Sequence, residues 1–151
     1  MKKFILIAAL LLSGINLKAQ SLNDQLYSAI ARKDTLMVEK LLGKGADANY
    51  IKNLDGMGMT LLIFTVNYTG DFKTVKLLVE HKADVNKKDA FNITALMYAA
   101  SEGYINIIKY LLDNGADIYA NDGKGNTVLS AAKEGNHTEA IKLIESRLNK
   151  H

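Results

Sequence analysis

An all-α solenoid of helix-turn-helix units with projecting loops is the fold class this sequence predicts, on three grounds. The step Ala-Asp recurs at Ala46-Asp47, Ala83-Asp84 and Ala116-Asp117, at intervals of 37 and 33 residues. A second phrase, Thr60-Leu61-Leu62, Thr94-Ala95-Leu96 and Thr127-Val128-Leu129, recurs at 34 and 33 residues. Two unrelated phrases that keep one period mark a repeat array. Within one unit, Leu96, Ala99 and Ala100 fall on one face of a helix, and Ile105, Ile108, Leu111 and Leu112 on one face of a second. Gly103 and Gly115 stand where each helix should stop.

The N-terminus has a different composition. Lys2 and Lys3 precede an apolar run from Phe4 to Leu12, then Ser13, Gly14 and a small residue, Ala19. That is the layout of a secretory signal peptide, and the run is far below the roughly 20 residues a spanning helix needs. The expected division is a signal peptide over residues 1–19 and a repeat domain over 20–151, with no stable membrane insertion after cleavage.

Cleavage changes the charge argument. The chain has 19 Lys plus Arg and 16 Asp plus Glu, but Lys2, Lys3 and Lys18 leave with the signal, so the mature part carries 16 of each. A basic pI no longer argues for nucleic acid. Cysteine is absent, which excludes disulfides and thiolate metal sites. The remaining 132 residues make about four units of 33.

On these motifs the chain resembles the ankyrin-repeat proteins. The resemblance implies that Thr-x-Leu opens the first helix of each unit and that a Leu-Leu pair lies in the second. It also implies that Gly-Ala-Asp-x-Asn leads into a hairpin-like finger. The pairs read from the sequence are Leu41-Leu42, Leu77-Leu78 and Leu111-Leu112, and the Asp-x-Asn elements are Asp47-Ala48-Asn49 and Asp84-Val85-Asn86, with Tyr119 in the third copy. The motif proline is replaced by Leu61, Ala95 and Val128, and the motif histidine by Ile63, Met97 and Ser130. Helix starts that lose those residues predict modest stability. The longer first interval is assigned to three extra residues between Asn49 and Asp55 and one before Gly70, both expected in connections, where length costs little. The first and last units are expected to act as caps, the last carrying Glu145 after Ile144.

Chemistry finds no foothold in this pattern. "GKGADA" at Gly43 to Ala48 matches a bare dinucleotide pattern, yet it ends a helix instead of following a strand. His81, His137 and His151 are scattered, so no metal site and no cofactor is expected. Asn136 stands where His137 would be preceded by glycine, as a residue able to adopt the left-handed conformation. Asp47, Asp84 and Asp117 recur once per unit, as do Asp55, Asp89 and Asp122; turns predict that recurrence and a single active site does not. An enzyme is not expected.

The resemblance leaves a binding surface, made of finger tips and the ends of the first helices. Its residues are Ile51, Met57, Met59, Phe91, Ile93, Lys124 and Asn126 on the fingers and Tyr68 at a helix end, with Asn67, Ser101, Glu102 and Glu134 beside it. Exposed Phe, Tyr and Met mark interaction sites. The expectation is a monomeric, non-catalytic protein-protein interaction module in the periplasm or outside the cell, of bacterial source, binding a protein and not nucleic acid. The resemblance also admits two narrower roles, an accessory or protective factor for an envelope enzyme and a component of a toxin or effector system.

Overall fold

The computed structural model describes residues 21–149 apart from Asp55; the signal-peptide reading lies outside the described residues. Among the described residues, four helix pairs follow one another. They are α1 (Leu22–Ala31) and α2 (Thr35–Gly43), then α3 (Leu61–Phe64, continued by a π turn over Thr65–Thr69) and α4 (Phe72–Glu80). Next come α5 (Ala95–Ser101) and α6 (Ile105–Asp113), and last α7 (Val128–Glu134) and α8 (Thr138–Leu148). First helices pack on first helices and second on second, with α2, α4, α6 and α8 in succession. The fingers stand between the pairs. The first finger is a true hairpin, β1 (Ile51–Leu54) antiparallel to β2 (Met57–Thr60), in the register Ile51↔Thr60 to Leu54↔Met57. The two later fingers close with a single bridge each, Lys88↔Thr94 and Asn121↔Thr127. A small sheet is therefore added to the helical expectation, built on the three extra residues.

Each first helix after α1 starts on its motif threonine. The hydroxyls of Thr60, Thr94 and Thr127 accept from the N–H groups of Ile63, Met97 and Ser130, at 3.2, 3.3 and 3.1 Å. One orphan donor of each helix start is thereby satisfied. In the last pair Ser130 returns the bond, accepting from the Thr127 N–H at 2.8 Å, so the side-chain bond expected to be lost with the motif histidine is present there.

The recurring Gly-Ala-Asp phrase is a helix terminator. The N–H groups of Ala46, Ala83 and Ala116 donate to the carbonyls of Leu41, Leu78 and Leu111, and those of Gly45, Lys82 and Gly115 to Leu42, Val79 and Leu112. That is the paired-bond Schellman stop, with its left-handed residue at Gly45, Lys82 and Gly115, φ 89°, 70° and 85°. These bonds correct the sequence register: the partner of Leu41-Leu42 and Leu111-Leu112 is Leu78-Val79, not Leu77-Leu78. Leu77 was misleading because a third apolar residue hides the phase. Lys82 occupies a conformation that favours glycine. Lys82→Gly is expected to raise stability by about 0.5–1 kcal/mol, read as a higher urea midpoint; a lower midpoint would contradict the strain.

The single extra residue before Gly70 is not in a connection. It lies inside the first helix of the second pair, where the Gly70 N–H reaches back to Thr65 O at 2.9 Å as a π turn. Thr65 and Thr69 close the widened turn by donating their hydroxyls to Leu61 O and Thr65 O, both at 2.7 Å. Absorbing one residue this way keeps both helix ends in register with their neighbours.

The core follows the predicted faces. Leu26, Ala29, Ile30, Val38, Leu41, Leu42, Leu96, Ala99, Ala100, Ile108 and Leu111 are buried. Ile105 and Leu112 are only partly covered, and Ile107, at 2% exposed, takes the interior place. Asn136 has φ 57°, as its replacement of glycine predicts.

Candidate partner-binding surface

The fingers are held by a ladder of asparagines. Asn49 accepts from the Asp84 N–H at 2.7 Å and donates to Lys82 O at 2.8 Å; Asn86 accepts from the Asp117 N–H at 2.8 Å and donates to Gly115 O at 3.0 Å. Asn23 of α1 begins the series by accepting from the Asp47 N–H. Asp47, Asp84 and Asp117 each accept from the N–H two residues on, so their recurrence is that of turns. Tyr119, in the third copy, has no amide to extend the ladder.

Two carboxylates brace the later fingers from within. Asp89 is buried and accepts from the N–H groups of Phe91 and Ile93 and from the Tyr98 hydroxyl, at 2.8, 3.0 and 2.8 Å. Burial, and then donation to that carboxylate, push the Tyr98 phenol far above its ordinary range. Asp122 accepts from the Lys124 and Asn126 N–H groups and from the Asn126 amide, and the Lys124 bond leads in holding its carboxyl below the usual range. Asp55, the first of this series in sequence, is outside the described residues.

Of the predicted site residues, Ile51, Met57, Tyr68 and Phe91 are exposed, by 49%, 42%, 62% and 49%. Lys124 and Asn126 are exposed too, Asn126 with its amide committed to Asp122. Met59 is a correction, and Ile93 is one only in its degree of exposure, since it still lines a groove on this face. Met59 is 8% exposed and belongs to the core, and Ile93 is partly buried against it. Both lie beside the helix-capping threonine, where a finger merges with its helix; Met57 and Phe91 lie nearer the tips.

Partly buried Tyr27 and the core residue Phe64, both passed over by the sequence reading, underlie this surface, and Tyr98, passed over too, walls a groove beside it. The Tyr27 and Phe64 rings are 4.8 Å apart, and Phe64 stacks on Tyr68 at 4.9 Å. Lys52 of the first finger lies 5.2 Å from the Tyr27 ring centre and pairs with Asp24 at 2.6 Å, tying that finger to α1. Phe64 and Tyr98 each stand four residues after a motif threonine, and that shared phase was the signal available in the sequence. Between the last two pairs, Ile93, Met97, Tyr98, Ser101, Asp122, Asn126, Ala131 and Glu134 line a groove of about 120 Å³.

Among the described residues there is no group of three or more His, Cys, Asp or Glu placed to hold a metal, and no helix long and apolar enough to cross a membrane. Gly43 ends α2 and Gly45 is its left-handed stop, so "GKGADA" is a helix terminator. His81 ends α4, and His137 precedes α8 with its ring against Gly103; His151 is outside the described residues.

The comparisons agree with this geometry. Residues 26–122 match the family model described as ankyrin repeats in three copies. An ankyrin repeat protein of Acanthamoeba polyphaga mimivirus is 34% identical over 110 residues, covering 72% of this chain and 68% of that protein. The ankyrin repeat and SAM domain-containing protein 6 of Rattus norvegicus is 38% identical over 103 residues, 66% of this chain but 12% of the relative. The dauer abnormal formation protein 25 of Caenorhabditis elegans is 32% identical over 124 residues, 82% of this chain and 31% of the relative. The chain thus spans about two thirds of the viral protein and under a third of the two animal ones. Ankyrin repeats are generally protein-protein interaction modules. Helix pairs, the three Schellman stops and a braced finger fall within the residues the family model matches: the chain belongs to the ankyrin repeat family.

Proposed function

We propose that this chain is a non-catalytic module that holds a partner protein against its fingers and first helices, and that it does so after export, in the periplasm or outside the cell. One observation carries the binding reading. Among the described residues, Ile51, Met57, Tyr68 and Phe91 are four of the seven exposed large hydrophobic residues, and all four lie on fingers or at the end of a first helix. Apolar side chains left outside a core that is otherwise closed mark a contact surface. The export reading is supported by Lys2, Lys3 and the run Phe4 to Leu12. The bacterial source rests on that segment alone, the compared relatives being viral and eukaryotic.

Capture from envelope extracts with the tagged protein tests the surface. Tyr68→Ala and Phe91→Ala are each expected to weaken capture by about 1–3 kcal/mol. Their unfolding free energies should stay within about 1 kcal/mol of the parent, since both side chains are half exposed or more. Capture unchanged in both variants would overturn the surface, and a loss of about 3–5 kcal/mol in Phe91→Ala stability would make that residue structural. Export predicts a mature N-terminus near Gln20 in a non-cytoplasmic fraction, measured by intact mass; a cytoplasmic chain that keeps Met1 would overturn it.

A further inference from the structure

The groove between the third and fourth helix pairs is chemically narrower than the apolar finger surface. Ile93, Tyr98 and Ala131 supply its apolar walls, and Ser101, Asp122 and Glu134 its polar ones. The two carboxylates are not equivalent. Asp122 spends its oxygens on Lys124 and Asn126 within its own finger. Glu134, at the end of α7, is exposed, and its side chain has no hydrogen bond or ion pair among the described residues. Among the described residues no lysine or arginine lines the groove, and Lys133, the neighbour of Glu134, turns to Glu145 at 3.7 Å. The Tyr98 ring is fixed in the wall of the same groove because its hydroxyl is tied to Asp89.

A volume of about 120 Å³ suits one side chain and is well below that of a small-molecule site. A groove that offers apolar and aromatic walls and an unpaired carboxylate together matches a long cationic side chain, which has an apolar stem and a charged head. We infer that this groove takes one arginine or lysine side chain of the partner protein, its stem against Ile93, Tyr98 and Ala131 and its cation at Glu134 and the Ser101 hydroxyl. The inference rests on the partner-binding reading and names the chemistry that one part of that surface selects.

The test uses the full chain, isotope-labelled, titrated with N-acetyl-arginine methylamide, its lysine counterpart and the neutral isostere N-acetyl-citrulline methylamide. Saturable amide shifts centred on Ile93, Tyr98, Ser101 and Glu134 are expected with the cationic probes, and binding of citrulline should be weaker by roughly tenfold. Glu134→Gln should erase that preference without moving the unfolding midpoint. Equal response to arginine and citrulline, shifts centred elsewhere, or a preference that survives Glu134→Gln would overturn the assignment. Partner capture separates the two levels. Loss of capture in Tyr68→Ala with none of the probe response leaves the binding surface standing and removes the groove; unchanged capture in Tyr68→Ala and Phe91→Ala, with the probe response intact, does the reverse.

Discussion

Replacing Ala99 with aspartate is expected to cost about 4 kcal/mol or more, a large part of the 5–15 kcal/mol or so that holds a typical domain together. Ala99 is fully buried, and so are Ala29, Val66 and Ala132, its counterparts in the other three pairs. A compact apolar side chain is therefore a condition of the stack: α5 packs on α6, on α7 and on the π turn of the preceding pair. An aspartate there meets no donor and is driven toward its neutral form, its pKa raised in the folded state. The linkage then has a definite sign. Below the unfolded carboxyl value, about 4, both states are protonated and the steric cost and that of burying a neutral carboxyl remain; as pH rises the unfolded state ionises first and the deficit grows. Urea unfolding of Ala99→Asp and Ala99→Ser at several pH values measures this. A small, pH-independent loss in the aspartate variant would mean that the helices do not close over this position.

Sequence carried the repeat, the helix faces and the identity of the turn residues because each follows from a local rule: a period, a threonine cap, a left-handed stop. It failed where two local solutions compete for the same residues. One extra residue between Thr60 and Gly70 fits either a longer loop or a wider helical turn. Leu61 O and Thr65 O decide for the turn by accepting threonine hydroxyls, a choice visible only when the helix axis is known. The Leu77-Leu78 reading slipped by one because apolar identity cannot fix phase in a run of three. Position in a finger predicts full exposure for Met59 and Ile93, yet burial depends on how close a finger residue stands to its helix: Met59 joins the core and Ile93 keeps only its groove-facing part open. Tyr98 was overlooked because a tyrosine in an Ala-rich helix reads as core, and only its bond to Asp89 shows its ring held at the groove wall.

Asp89→Ala is expected to open the second finger and to lower stability by about 2–4 kcal/mol. Three donors converge on this carboxylate, the N–H groups of Phe91 and Ile93 and the Tyr98 hydroxyl, in a site 8% exposed. Alanine returns none of these bonds, and each buried donor left without a partner costs about 1–3 kcal/mol, less than additively where water can enter. Asp89→Asn separates geometry from charge. Its amide oxygen can still accept from both N–H groups, and its NH₂ can donate to the Tyr98 oxygen, so a loss below about 1.5 kcal/mol is expected. Hydrogen exchange locates the effect: the Phe91 and Ile93 amides should exchange much faster in Asp89→Ala, while the Ile108 and Leu111 amides exchange only through global unfolding and track the unfolding free energy. Because Asp89 joins the finger that carries Phe91 to the ring that walls the groove, the alanine variant should also weaken partner capture beyond what Phe91→Ala loses. Protection of Phe91 and Ile93 unchanged in Asp89→Ala would show that the finger is held by its Lys88↔Thr94 bridge alone, and the carboxylate would then brace neither the tip nor the groove.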